Sequence, residues 1–71
     1  MARTNAQQKL GKKVRKIRLE SDMSQEMVAE MAGLDRTYVS GIERGVRNPS
    51  LRNIEKLAKA LKVPVHDLID F

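Results

Sequence analysis

Four side chains able to donate or accept hydrogen bonds lie close together in the middle of the chain, at Arg36, Thr37, Tyr38 and Ser40. Between and after them come Val39 and Ile42, whose spacing of three is typical of the inner side of a helix. A helix that turns these two residues inward holds its polar residues out to solvent. We therefore expect a recognition surface that works through hydrogen bonds and one guanidinium charge.

Patterns typical of catalysis or metal binding are missing from the sequence. The chain has no cysteine and one histidine, His66, so neither a thiolate site nor a histidine cluster is expected. The carboxylates show no pairing suggestive of acid–base chemistry, and no nucleophile motif or glycine-rich phosphate loop occurs. We predict no enzyme, no metal and no cofactor.

The charge balance favours a polyanionic partner. Fourteen basic residues against nine acidic ones give 71 residues a net charge of +5, which is most often met in nucleic-acid-binding domains. Charge alone leaves a merely soluble basic protein equally open. Apolar residues make up 41% of the chain, enough for a folded domain. The lack of cysteine fits a cytoplasmic location, and no apolar run predicts a secretion signal or a membrane span.

The elements that must position the polar cluster are predicted to be helices. Apolar residues recur at helical spacing between positions 5 and 20, at Leu10, Val14 and Ile17. Ser24 is placed to cap a second helix, which ends at Gly33 and turns Val28 and Met31 inward.

Three further helices complete an all-α prediction. Asp35 can cap a third helix, from about residue 36 to 44. Ser50 can cap a fourth, with an apolar stripe at Leu51, Ile54, Leu57, Ala58 and Leu61. Pro64 suits the first turn of a short fifth helix that runs to residue 71.

The segment from Gln25 to Arg44 resembles the helix-turn-helix of lambdoid phage repressors and Cro proteins. The likeness is positional and rests on Ala29, Gly33, Leu34, Val39 and Ile42. It extends to both sides, since "KLGKKVRKIRLES" is similar to the family's first helix and "NPSLRNIEKLAKALKVPVHDLI" to its last two. The resemblance implies one compact five-helix domain over 1–71, with the helix-turn-helix at about 24–45 and dimerising helices at about 50–71.

Within this family, "DRTYVSGIERGVRNPS" is most similar to the controller proteins of restriction–modification systems, which are small dimeric regulators of their own operons. The resemblance implies a sequence-specific, dimeric transcriptional regulator that binds double-stranded operator DNA at its own promoter and has no small-molecule effector. Two alternatives stay open. One is an antitoxin-like or anti-repressor protein-binding module of the same fold, and the other is a nonspecific basic nucleoid protein.

The resemblance assigns base contacts to Arg36, Thr37, Tyr38 and Ser40. Arg36 suits the O6 and N7 atoms of a guanine, whereas Thr37 suits either a base or the start of its own helix. Tyr38 suits the DNA backbone, a thymine or the partner subunit across the dyad, and the alternative is a place in the core. Gly41 indicates either a short base readout aided by DNA shape or a close approach of its backbone to DNA.

Phosphate contacts are implied at Gln25, Arg44, Arg47, Asn48 and, secondarily, Arg18. Such contacts set the register of a protein on DNA rather than its sequence preference. Arg18 and Glu43 match family positions that form an ion pair between the first and third helices. For Arg18 we therefore expect this ion pair to be the main role and a phosphate contact to be secondary.

The last nine residues, "VPVHDLIDF", are too apolar for one short helix to bury completely. We expect a dimer interface at Leu51, Arg52, Glu55, Ile69 and Phe71. The alternative for Phe71 is that it folds back to cap the core. A two-fold dimer implies a near-palindromic operator with half-sites about one helical turn apart.

Overall fold

The computed structural model describes residues 5–70 and consists, over that span, of five α-helices without a strand. The helices are α1 (Ala6–Glu20), α2 (Gln25–Ala32), α3 (Arg36–Glu43), α4 (Leu51–Leu61) and α5 (His66–Ile69). This confirms the predicted all-α fold. Helix α1 packs against α3 and α5, and α2 packs against α3 and α4. Phe71, predicted to lie at a dimer interface, is outside the described residues.

Side-chain caps begin four of these helices. The caps predicted at Ser24, Asp35 and Ser50 are confirmed, since each accepts a hydrogen bond from a backbone N–H two or three positions later, at 3.0, 2.7 and 3.2 Å. Asn5 caps α1 in a reciprocal capping box. Gly33 ends α2 with a φ of 68°, a left-handed conformation that favours glycine.

Aliphatic side chains from all five helices form the core. The largest fully buried ones are Ile42, Leu57, Leu68, Val14, Val28 and Val39. Their positions confirm the inward sides predicted for α1 and α3. On α4, Leu57, Ala58 and Leu61 are buried as predicted, but Leu51, the first residue of the predicted stripe, is 63% exposed. Several of the remaining core residues are alanines, so the helices pack closely around a small interior.

The inward position predicted for Met31 is wrong, because 53% of this residue is exposed. Val28, Ala29 and Ala32 are the buried residues of α2. Met27 and Met31 form a neighbouring row, also four residues apart, that turns away from the core. The core side of α2 is therefore narrow and lined with small residues, which suits its close packing against α3 and α4.

The fifth helix begins later and is shorter than predicted, with only four residues. Pro64 precedes it, and its carbonyl accepts a hydrogen bond from the Asp67 N–H at 3.0 Å in a turn that leads into the helix. Leu68 is the buried residue of α5, and the neighbouring Ile69 remains 42% exposed.

Gly11 lets the backbone of α1 approach the C-terminal end of α3. A Cβ atom at this buried position would meet the carbonyl oxygens of Ile42 and Glu43, lying 2.7 Å from the latter. Both oxygens belong to the backbone and cannot rotate away. The glycine that weakens α1 as an isolated helix is therefore required for the packing of α1 on α3.

Gly11→Ala is expected to lower the free energy of unfolding by about 2 kcal/mol, because overpacking against fixed backbone outweighs alanine's better helix propensity. Urea unfolding followed by circular dichroism, at one fixed protein concentration, measures the loss. Lys12→Ala, at the exposed neighbouring position, is the control and should stay within about 0.5 kcal/mol of wild type. Unchanged or increased stability of Gly11→Ala would show that α1 and α3 are not in close backbone contact.

Candidate nucleic-acid interface

The outer side of α3 presents the residues predicted to read bases. Arg36 and Thr37 are exposed in its first turn, directly after the cap Asp35, whose carboxylate accepts the Thr37 N–H at 2.7 Å. Ser40 is half-buried one turn later. The opposite side of the helix is fixed in the core, so a guanidinium and two hydroxyl groups are held at the surface.

Tyr38 is tied to α4 by its hydroxyl group. Its Oη atom accepts a hydrogen bond from Asn53 Nδ2 at 3.1 Å. The ring is half-buried, packs against the edge of the core, and has the Arg47 guanidinium 5.9 Å from its centroid. Sequence reasoning missed Asn53, because nothing in the local pattern of α4 relates this residue to a tyrosine fifteen positions earlier.

Gly41 provides space for the side chain of Arg47. A Cβ atom on this buried glycine would lie 2.5 Å from Arg47 Cγ. The backbone N–H groups of Val46 and Arg47 donate to the Gly41 carbonyl oxygen at 3.0 and 3.3 Å, which turns the loop after α3 back over the helix. Arg47 and the loop thus cover this side of Gly41, which gives the glycine a packing role within the protein. The two roles predicted for it on DNA stay predictions.

Arg18 and Glu43 form a bidentate ion pair between α1 and α3. Arg18 Nε donates to Glu43 Oε2 at 2.7 Å, and Arg18 Nη2 donates to Glu43 Oε1 at 3.0 Å. A third donor, Arg18 Nη1, reaches the carbonyl oxygen of Met23 at 2.8 Å. Gln25 Nε2 also donates to Glu43 Oε1 at 3.0 Å. One carboxylate therefore joins α1, α2 and α3.

Burial makes this ion pair sensitive to the loss of either partner. The side chains of Arg18 and Glu43 are 11% and 3% exposed. Hydrogen bonding to the Glu43 carboxylate, with its negative charge, raises the pKa of the Arg18 guanidinium above its usual value against the opposing effect of desolvation. The Arg18 guanidinium thus binds Glu43 and the Met23 carbonyl oxygen, and its contact with a DNA phosphate stays a prediction.

A shallow depression with a basic rim surrounds this ion pair. It is lined by Arg15, Arg18, Gln25, Glu43 and Arg44. Gln25 is the first residue of α2, so the free N–H groups at the start of that helix lie beside the depression. Sequence reasoning missed Arg15, because it was one of several cations on α1 and only the packing of the helices selects it. Arg47 and Asn48 are exposed in the loop that follows α3.

The residues predicted for a dimer interface are exposed where the structure describes them. Leu51 is 63% and Ile69 42% exposed, and Arg52 and Glu55 are exposed on α4. Val46, in the loop before α4, is also 63% exposed and was not predicted. Val46, Leu51 and Ile69 are apolar surface that the core leaves uncovered.

Among residues 5–70, no three histidine, cysteine, aspartate or glutamate side chains are grouped so as to hold a metal ion. None of the helices in this span is both long and apolar enough to cross a membrane.

Glu43→Ala is expected to lower the free energy of unfolding by about 3 kcal/mol, because it leaves the buried Arg18 charge without its carboxylate. Glu30→Ala, which removes an exposed carboxylate from α2, is the control and should change stability by less than about 0.5 kcal/mol. A double-mutant cycle with Arg18→Ala isolates the energy of the pair. A melting temperature of Glu43→Ala equal to that of wild type would show that the ion pair does not stabilise the fold.

Known proteins are similar to this chain in both sequence and fold. A family model described as helix-turn-helix matches residues 14–68. The control protein C.BamHI of Bacillus amyloliquefaciens is 61% identical over 62 residues, covering 86% of this chain and 76% of that protein. The crystal structure of the restriction–modification controller protein C.AhdI from Aeromonas hydrophila has a TM-score of 0.86 and 48% identity, covering 87% of this chain and 94% of that one.

Another controller protein, C.Esp1396I, has been crystallised as a tetramer in complex with its natural 35 base-pair operator. That structure has a TM-score of 0.82 and 42% identity, and covers 87% of this chain and 82% of that one. The family model covers most of the chain, and these relatives are 42–61% identical to it over most of their own length. The chain belongs to the helix-turn-helix family, among the controller proteins of restriction–modification systems.

Proposed function

We propose that the protein is a dimeric, sequence-specific regulator of transcription that binds operator DNA at the promoter of its own restriction–modification operon. One observation carries the proposal: α3 is fixed by its apolar side and holds Arg36 and Thr37 exposed directly after its cap. Membership of the controller-protein family supports this function. A regulator that acts on operator DNA is expected in the cytoplasm.

Base readout is assigned to the outer side of α3. The major groove of B-DNA admits one helix and offers a distinct set of donors and acceptors at each base pair. Arg36 has two parallel N–H donors that match the O6 and N7 acceptors of guanine. Thr37 offers a hydroxyl and a methyl group, and Ser40 a hydroxyl one turn later.

Contacts to the DNA backbone are assigned to the residues around the basic depression. Arg44, Arg47 and Asn48 would bind phosphates, and Arg15 joins them because it lines the same depression as Arg44. Gln25 donates one amide hydrogen to Glu43 and has a second one for a phosphate. The partial positive charge at the start of α2 favours an anion there.

Dimerisation is assigned to the exposed surface of α4 and α5 that contains Leu51, Arg52, Glu55 and Ile69. A two-fold axis pairs such a surface with itself. The two α3 helices would then lie about 34 Å apart and enter successive major grooves. The operator is expected to be nearly palindromic. The tetramer that C.Esp1396I forms on its operator supports an assembly of this kind.

Footprinting on the DNA upstream of the protein's own gene tests the proposal directly. Wild-type protein should protect paired half-sites at concentrations that leave random duplex unprotected. Equal affinity for every duplex would instead indicate a nonspecific nucleoid protein. The absence of any salt-dependent DNA binding would indicate a protein-binding module of the same fold.

Arg36→Ala is expected to cost about 1–3 kcal/mol of operator binding and to relax the preference at one base pair in each half-site. Arg47→Ala should weaken binding on all sequences alike and reduce the slope of log K against log salt by about one. Competition assays over several salt concentrations separate these effects. Lys16→Ala removes the same charge on the side of α1 that faces α5 and is the control. Equal losses of Arg36→Ala on operator and random DNA would exclude the base contact.

Analytical ultracentrifugation at micromolar concentrations should show a dimer, because the exposed apolar surface of α4 and α5 favours self-association. Ile69→Lys should shift the equilibrium towards monomer without changing the helical circular dichroism. Met31→Lys changes an exposed apolar residue outside this surface and is the control. A wild-type monomer that binds a single half-site without cooperativity would contradict the dimer.

A further inference from the structure

We infer that Asn53 is a positioning residue for DNA recognition, which holds the Tyr38 hydroxyl so that its hydrogen is donated to an acceptor on DNA. The inference rests on the proposed function and extends it to a residue of α4. It starts from the hydrogen bond between Asn53 Nδ2 and Tyr38 Oη, 3.1 Å long, which joins α4 to the recognition helix α3.

The direction of this hydrogen bond determines what Tyr38 can do next. A phenolic hydroxyl has one hydrogen to donate and oxygen lone pairs to accept with. Asn53 donates through its amide, so Tyr38 uses a lone pair and keeps its hydrogen. Tyr38 is therefore a donor for a phosphate oxygen or for an acceptor atom on a base edge.

Asn53 is well placed to hold a neighbour, because its own backbone is fixed. Its N–H donates to Ser50 Oγ at 3.2 Å in the cap of α4. Its side chain is half-buried between the helices. An amide carried on a fixed backbone restricts the rotation of the tyrosine hydroxyl before DNA arrives, and binding then requires less ordering of the interface.

The tyrosine ring is restrained as well. The guanidinium of Arg47 lies 5.9 Å from the centroid of the ring, within the range of a cation–π contact. The stem of Arg47 occupies the space above Gly41, where a Cβ atom would collide with it. Asn53 and Gly41 thus act through Tyr38 and Arg47, and neither needs to touch DNA itself.

A double-mutant cycle on Tyr38→Phe and Asn53→Ala tests the inference. The probes are a duplex selected from a randomised library by wild-type protein and a random duplex of the same length. Each single variant should weaken binding of the selected duplex about three- to tenfold, the range expected for one hydrogen bond. Asn53→Ala should have no further effect in the Tyr38→Phe background. Additive losses, or an unchanged affinity of Asn53→Ala, would overturn the inference.

Asn53→Asp is a second variant of nearly the same shape. A carboxylate near the start of α4 suits the helix dipole, so the fold should be retained. Aspartate accepts the Tyr38 hydrogen instead of leaving it free. In the protein that keeps Tyr38, Asn53→Asp should therefore bind DNA more weakly than Asn53→Ala. The part of this loss of affinity that is due to Tyr38 should vanish when Tyr38→Phe is also present. A loss of the same size in both backgrounds would overturn the assigned direction of the hydrogen bond.

Thermal unfolding of the same variants separates positioning from simple stabilisation. Coupling between Asn53 and Tyr38 should appear in the dissociation constants measured on fully folded protein. Coupling seen only in the unfolding free energy would overturn the inference, because the contact would then only stabilise the fold.

The two duplexes identify the acceptor on DNA. Equal losses of affinity on both duplexes would assign the acceptor to phosphate, and losses confined to the selected duplex would assign it to a base. Failure of the library to yield any preferred sequence would contradict the proposed function itself.

Discussion

The Glu43 carboxylate is the interaction on which the arrangement of the helix-turn-helix depends. It lies at the C-terminal end of α3, where the helix dipole disfavours a negative charge, and only 3% of its side chain is exposed. Its stability there requires nearby donors. Arg18 provides two from α1, and Gln25 provides one from α2. A buried carboxylate that needs three donors from two other helices fixes the orientation of α1, α2 and α3. Nonpolar contacts alone would fix it less specifically.

The core explains why such a directional contact is needed. Burial of apolar surface stabilises a compact state but has no preferred direction. The interior of this small domain is built from valine, leucine, isoleucine and several alanines, which tolerate small rotations of one helix on another. Gly11 complements the ion pair by bringing the α1 backbone against the last residues of α3. Close contact at this point places Arg18, two turns further along α1, opposite Glu43.

Local patterns were sufficient to predict the helices, three of the caps and most of the core, because they depend on residues within a few positions of one another. Met31 was misplaced because two rows of equal spacing run along α2, and only the position of α4 decides which row is buried. Arg36 and Thr37 were located correctly on the exposed start of α3.

Contacts between distant parts of the chain account for what sequence reasoning missed. The bond from Asn53 to Tyr38 and the location of Arg15 beside Arg44 depend on how whole helices pack. Gly41 shows the same limit. The sequence related this glycine only to DNA, whereas its neighbours in space show that it makes room for Arg47.

Helix α4 connects the two surfaces that the proposed function requires. Its first turn directs Asn53 towards Tyr38 on the recognition helix and leaves Leu51 and Arg52 exposed for a partner subunit. Ser50 caps that turn and holds its backbone in place. A rotation of α4 that improved the fit between two subunits would therefore also move the amide that positions the tyrosine hydroxyl. Since coupling between two binding events is reciprocal, any effect of dimerisation on DNA binding through Tyr38 would be matched by an equal effect of DNA on dimerisation.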